Sequence, residues 1–116
     1  MDPLARQLTN PRLGRLLEAL ELFRVLDREV PAQVISTFLY VASHNPCHKQ
    51  ALEQDLGFTT ASASRNTAWL SDQHRLKKPG LGLIHKYKDP SNNRRVLLAL
   101  TEKGEELSER LLGSRD

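Results

Sequence analysis

A tight turn around Gly57 separates two short helical patterns in the middle of the chain. Leu52 and Leu56 lie on one face of the first helix, and Gly57 stands where a helix commonly ends in a left-handed residue. Thr59 then offers an N-cap for a second helix that runs toward Leu70. This spacing predicts a helix-turn-helix, although the same motif also occurs as a plain packing unit.

Two short strand patterns follow the second helix. Leu81, Leu83 and Ile84 form the first pattern, and residues 96–100 form the second. Turn-forming residues connect them at positions 89–93. A helix-turn-helix followed by a β-hairpin is a winged helix, so we expect a mainly α fold with a small β-hairpin, in which residues 81–100 form the wing.

Helical patterns also flank this central region. Asn10-Pro11 is a cap-then-proline signal that opens a helix over residues 11–29, whose apolar stripe is wider than one packing face needs. A second helix follows Pro31 and is the candidate core helix, and Thr101 caps a last helix over residues 101–113. Residues 1–10 are expected to form a flexible arm, and residues 11–116 a single winged-helix domain whose core spans 31–100.

The positive charge is concentrated in one segment. The whole chain carries a net charge of +3, but Ala61–Arg95 holds eight basic and two acidic residues, a net +6. A basic segment of this kind attracts phosphates through the release of counterions. An ordinary solvated basic face is the alternative.

Length and composition exclude several classes of protein. A chain of 116 residues, 39% of them hydrophobic, is long enough for one core and too short for two. It has no apolar run of the roughly 18 residues that span a bilayer, and its start lacks the order of a secretory signal, so we expect a cytoplasmic protein. The sequence shows no paired carboxylates, no glycine-rich phosphate loop and no activated nucleophile. We therefore expect a protein that is not an enzyme and binds no cofactor.

His44, Cys47 and His48 form the one cluster that suggests other chemistry. Imidazole and thiolate are zinc ligands, so a metal site or a redox sensor is one hypothesis. Helix capping and a buried thiol are the simpler interpretation, because no fourth ligand is evident. His85, with His74, lies among basic residues and suits a phosphate contact better than a catalytic base.

The wing region carries a family resemblance. The run Asp89-Pro90-Ser91-Asn92-Asn93-Arg94-Arg95, followed by apolar residues and by Leu100-Thr101-Glu102-Lys103-Gly104, resembles the wing and the next helix start of MarR-type winged-helix transcriptional regulators. Leu56–Thr59, Ser62–Arg65 and Gly82–Ile84 resemble the turn, the recognition helix and the entry to the wing of that family. The resemblance covers about residues 31–112, and the wing is its most specific part.

The resemblance implies a homodimeric repressor that reads a pseudo-palindromic operator in double-stranded DNA. Its recognition helix would span residues 59–75 and its wing tip residues 89–95. Arg65 would read guanine or hold a phosphate, and Arg94 would enter a narrow minor groove. The residues implied to contact DNA are Thr60, Ser62, Ser64, Arg65, Asn66, Lys77, Lys78, Asn92, Asn93, Arg94 and Arg95.

The chain also departs from the family pattern. Asn92 replaces the aspartate that usually precedes the wing arginine, and the segment from Ser71 to Leu81 is longer than usual. Only fifteen residues follow Thr101, so the dimer would depend on the first and last helices. The residues expected at that interface are Leu13, Leu16, Leu17, Leu20, Phe23, Leu107 and Leu111.

Two other functional classes share this fold and charge. One is an interaction module, in which the winged helix binds a protein partner and the basic surface has a secondary role. The other is a DNA-binding accessory of replication or recombination. The sequence names no small-molecule effector.

Overall fold

The computed structural model describes residues 6–72 and 79–113, which form five helices and one three-stranded sheet. The sheet is antiparallel with strand order β1-β3-β2. This architecture confirms the mainly α, winged-helix class. The elements are α1 (Pro11–Leu26), α2 (Ala32–Ser43), β1 (Cys47–His48), α3 (Lys49–Leu56), α4 (Thr60–Leu70), β2 (Ile84–Asp89), β3 (Asn92–Leu100) and α5 (Glu102–Leu111).

Three helices begin at the caps that the sequence predicts. The side chain of Asn10 accepts a hydrogen bond from the Leu13 amide at 3.2 Å, and Thr59 Oγ1 accepts one from the Ser62 amide at 3.0 Å. Thr101 Oγ1 does the same for Gly104. Each contact satisfies an amide that has no partner within its own helix. Gly57, with φ at 68°, ends α3 as expected.

The core forms around α2. Val34, Phe38 and Val41 are fully buried, and Phe23 of α1 packs its ring edge-on against Phe38 at 5.6 Å between centroids. Side chains of α3, α4 and the sheet close the same cluster. Full burial of an apolar side chain of this size contributes about 1.5–3 kcal/mol, so this cluster holds the helix-turn-helix and the wing in one unit.

The sheet differs from the predicted hairpin. Cys47 and His48 pair with Leu98 and Leu97, so a short third strand precedes α3 and that helix begins at Lys49. The first wing strand is Ile84–Asp89, later in the chain than the predicted 81–84, and the connecting turn is correspondingly short. Pairing with the long strand β3 extends these segments, an effect that depends on tertiary contacts.

Three helices end earlier than predicted. α1 ends at Leu26, because Asp27 is an extended C-cap residue, and α4 ends at Leu70, because Ser71 is extended. Of the recognition helix predicted over 59–75, the described part is helical from Thr60 to Leu70, and residues 73–75 lie outside the described residues. α5 is likewise confined to Glu102–Leu111.

Leu83, at the entry to the wing, is hydrogen-bonded both to the end of α4 and to the residue that caps α5. The Leu83 amide donates to the Leu70 carbonyl at 2.7 Å, and the Thr101 amide donates to the Leu83 carbonyl at 3.1 Å. Gly104 brings α5 so close to the Leu83 carbonyl that a Cβ atom would collide with it. In the part of the chain that is described, no helix is long and apolar enough to cross a membrane.

Candidate nucleic-acid interface

The outer side of α4 carries several of the predicted contact residues. Thr60 and Arg65 are exposed, and Ser62 and Ser64 are partly exposed. The Arg65 guanidinium donates from Nη2 to Ser62 Oγ at 3.0 Å. This bond lies on the helix surface and orients the guanidinium while its other N–H groups remain able to reach a base edge or a phosphate.

Asn66 does not belong to this exposed face. Its side chain is only 7% exposed, and its amide donates to Gln33 Oε1 at 3.2 Å. A helix turns by about 100° per residue, which places Asn66 on the side of Ala63 and Leu70, toward the core. The expectation that Asn66 contacts DNA is therefore corrected: it attaches α4 to α2.

The wing tip presents a run of exposed polar and basic residues. Asn92, Asn93, Arg94 and Arg95 are all exposed at the start of β3. Asn92 accepts a hydrogen bond from the Arg94 backbone amide at 3.2 Å. Asn92 thus shapes the backbone from which the Arg94 side chain projects.

The buried carboxylate of Asp89 holds the wing turn through hydrogen bonds. One carboxylate oxygen accepts hydrogen bonds from the amide and the hydroxyl of Ser91, at 2.9 and 2.8 Å. The other lies 2.7 Å from His48 Nε2. The hydrogen bond from His48, followed by those from Ser91, lowers the pKa of Asp89 to about 2. The carboxylate is therefore charged at neutral pH and connects the wing turn to β1.

A basic groove lies between the wing and the helix-turn-helix. It encloses about 300 Å³, and we call it the wing groove. Arg95 reaches across it and donates to Gln50 Oε1 at 3.1 Å. Lys49 donates to Glu53 at 2.7 Å and to the Thr60 carbonyl at 3.4 Å. The groove is lined by His48, Lys49, Gln50, Glu53, Thr60, Arg94, Arg95 and Val96.

Lys86 of β2 lies close to Lys49. Burial, together with the nearby Lys49 ammonium, lowers the pKa of Lys86. The Lys49 ammonium is itself paired with Glu53. Sequence reasoning missed His48, Lys49 and Gln50 as parts of this surface, because they precede the basic segment and reach the wing only through the β1–β3 pairing.

The three candidate sensing residues have separate environments. His44 stacks on Tyr40 at 4.2 Å between ring centroids, whereas His48 is bound to Asp89. Cys47 is buried, and burial raises the pKa of its thiol. Within residues 6–72 and 79–113 no group of three His, Cys, Asp or Glu side chains could hold a metal ion. His44 Nδ1 lies 3.0 Å from the Tyr40 carbonyl at the end of α2, Cys47 packs in the core, and His48 connects β1 to the wing turn.

The predicted dimer residues divide into two groups. Leu13 and Leu16 of α1 are 60% and 67% exposed, and Leu17 and Leu20 are also exposed. Phe23 is only 2% exposed, and Leu107 is buried as well. Both belong to the core of one protomer, which corrects their assignment to an interface: Phe23 lies near the end of α1 and packs on Phe38 of α2, and Leu107 lies on the buried side of α5. Leu111 is partly buried against the core.

Some predicted contacts cannot be placed. Lys77 and Lys78, as well as His74 and the last part of the predicted recognition helix, lie outside the described residues. His85, by contrast, is exposed on β2.

The five helices and the three-stranded sheet define a winged helix-turn-helix fold. No family model matches the sequence, and no curated protein matches it. Among solved structures the chain is similar to MarR, with a TM-score of 0.61 and 23% identity over 90% of this chain and 74% of that one.

Two structures with DNA are similar to the same extent. Overoxidized AbfR bound to DNA has a TM-score of 0.63 and 15% identity, over 88% of this chain and 69% of that one. A point mutant of MarR from E. coli, complexed with operator DNA, has a TM-score of 0.59 and 19% identity, over 91% and 76%. At these identities the comparisons establish the fold.

Proposed function

We propose that this protein is a sequence-specific, double-stranded DNA-binding transcriptional regulator. The observation that carries the proposal is the wing groove, where the start of α4 and the basic wing tip line one cleft. In a winged helix, this arrangement directs α4 into a major groove and the wing toward the adjacent minor groove. Arg65 would contact a base or phosphate, and Arg94 the minor groove.

The solved structures of similar fold support this assignment. AbfR and the MarR mutant are described as bound to DNA, the latter to operator DNA. The present chain has the same fold and places Arg65, Arg94 and Arg95 on its surface. We therefore propose a DNA-binding role without catalysis for this chain, in the cytoplasm.

We further propose that the protein acts as a homodimer. The exposed leucines of α1 form an apolar stripe along the helix, which water solvates poorly. A second copy of the chain would cover this stripe, with the end of α5 beside it, where Leu112 is also exposed and its carbonyl accepts a hydrogen bond from Arg15. A two-fold dimer would read an inverted repeat and repress by occluding a promoter.

Selection of duplexes from a random pool tests the proposal. At about 150 mM salt, non-specific attraction to phosphates is already weakened, so enrichment reports base and shape readout. We expect an inverted repeat with half-sites about one helical turn apart. Absence of any enriched sequence would contradict the proposal and favour an interaction module, while enrichment of a single half-site would contradict the dimer.

A further inference from the structure

Trp69 connects the recognition helix to the helix that carries the exposed leucine stripe. Its indole Nε1 donates to Asp27 Oδ2 at 2.7 Å, across 42 positions of the sequence. Trp69 lies in the last turn of α4, and Asp27 is the C-cap residue of α1. A hydrogen bond between an indole N–H and a carboxylate is charge-assisted and directional, so it restricts how the two helix ends move relative to each other.

Asp27 is itself held in place. Its backbone amide donates to the Phe23 carbonyl at 3.0 Å, and its other carboxylate oxygen accepts from the Glu29 amide at 2.9 Å. Phe23 is buried against Phe38, so the end of α1 is anchored in the core. The acceptor that Trp69 finds is therefore a fixed point of α1.

The Trp69 backbone connects α4 to the wing as well. Its carbonyl accepts a hydrogen bond from the Leu81 amide at 3.0 Å, at the entry to the wing. The ring packs against the hydrophobic core. One residue thus joins three parts of the molecule: the recognition helix, the wing entry and the end of α1.

We infer that Trp69 and Asp27 are positioning residues that set the distance between the two recognition helices of a dimer, and hence the preferred spacing of the operator half-sites. This inference rests on the proposed function. In a dimer formed through α1, that helix defines the two-fold axis. The hydrogen bond between Trp69 and Asp27 helps to fix the position of α4 relative to this axis. A looser link lets each α4 shift, so that spacings other than the best one are tolerated.

The experiment measures spacing discrimination. The selected inverted repeat is prepared with its spacer unchanged and with one base pair added or removed, and each duplex is titrated with parent protein and with Trp69→Phe. Phenylalanine retains an apolar ring and removes the donor. We expect the parent to prefer its best spacing by about tenfold or more, and Trp69→Phe to reduce that ratio to about twofold.

Two further variants separate this role from general stability. Asp27→Asn leaves one side-chain oxygen for two donors, so it should lower the spacing preference as Trp69→Phe does. Because both changes break the same bond, the variant that combines Trp69→Phe and Asp27→Asn should lower the preference no further. Tyr40→Phe is the matched control, because Tyr40 also donates from an aromatic ring to a carboxylate, that of Asp55 at 2.6 Å, but joins α2 to α3. It should leave the spacing ratio unchanged.

The outcomes are distinct. Retention of the parent's discrimination by Trp69→Phe, or an equal loss in Tyr40→Phe, would overturn the inference while leaving the proposed function intact. A parent protein that prefers no inverted repeat would overturn the proposed function, and the inference with it.

Discussion

At the scale of single residues, the interface combines groups that reach outward with groups that hold them in place. Arg65 and Arg94 are exposed, whereas Asp89 and Asn66 are buried and hydrogen-bonded. Replacement of a buried group would change several contacts at once, and replacement of an exposed arginine should remove one contact to DNA. The two kinds of substitution therefore test different claims.

The first prediction concerns Arg94. Arg94→Ala should weaken binding to the selected operator by about 1–3 kcal/mol, because the wing loses its minor-groove cation. Titration of labelled operator at fixed salt measures the loss. Arg28→Ala is the control, since it removes the same charge from an exposed position after α1 that does not line the wing groove. Equal losses of operator affinity in the two variants would show that affinity depends only on the total charge of the protein.

The second prediction concerns the stability of the fold at acidic pH. The folded-state pKa of Asp89 is depressed to about 2, below that of an unfolded aspartate at about 3.9. Its contribution to stability is therefore fully present above about pH 4 and is lost as the pH falls toward 2. An NMR titration of the carboxyl resonance measures this pKa. His48→Asn should raise it, because the His48 hydrogen bond is its largest cause; an unchanged value would contradict the pairing.

At the scale of secondary-structure elements, α1 serves two purposes along its length. Its last turns carry Phe23 into the core, while Leu13 and Leu16 near its start face solvent. This division explains why the apolar stripe in the sequence is wider than one packing face needs. It also allows the two faces to be tested separately.

The third prediction uses these two faces. Leu16→Glu should leave the protomer folded and convert the dimer to a monomer, because the charge would be desolvated only at the interface between copies. Phe23→Ala should instead destabilise the fold by about 3–5 kcal/mol, since it empties a buried site. Light scattering and thermal unfolding distinguish the two effects. A parent protein that is already monomeric, or an unchanged mass for Leu16→Glu, would exclude this face as the interface.

At the scale of the whole molecule, charge is separated from the proposed dimer face. The segment Ala61–Arg95 carries +6, whereas the remainder of the chain carries −3. Two copies joined through α1 would present two basic faces to one duplex. Binding should then depend strongly on salt, because each neutralised phosphate releases counterions.

The fourth prediction is the size of that dependence. With Arg65, Arg94 and Arg95 from each protomer near the DNA phosphates, operator affinity should fall about a thousandfold or more between roughly 50 and 200 mM salt. The slope of the logarithm of the binding constant against the logarithm of salt concentration measures this dependence for the parent. Arg95→Ala should make that slope shallower by about one unit per half-site. A slope near zero would contradict binding through this surface.

Local signals in the sequence were sufficient for the order of the five helices and the wing hairpin, but not for strand β1 or for several element ends. Asn10, Thr59 and Thr101 cap their helices and Gly57 ends α3, because these effects need only the few residues beside each cap. The basic segment was also readable, since charge is a property of composition. The winged-helix class followed from the order of these elements.

Tertiary structure decided which side chains face outward and which meet. Asn66 was assigned to the DNA-facing surface because its side chain is polar, and Phe23 to an interface because it continues the apolar stripe of α1, whereas packing against α2 buries both. The pairs His48–Asp89 and Trp69–Asp27 join residues about forty positions apart. Helix caps and charge are determined by near neighbours and composition, whereas burial and long-range pairing depend on how the elements pack.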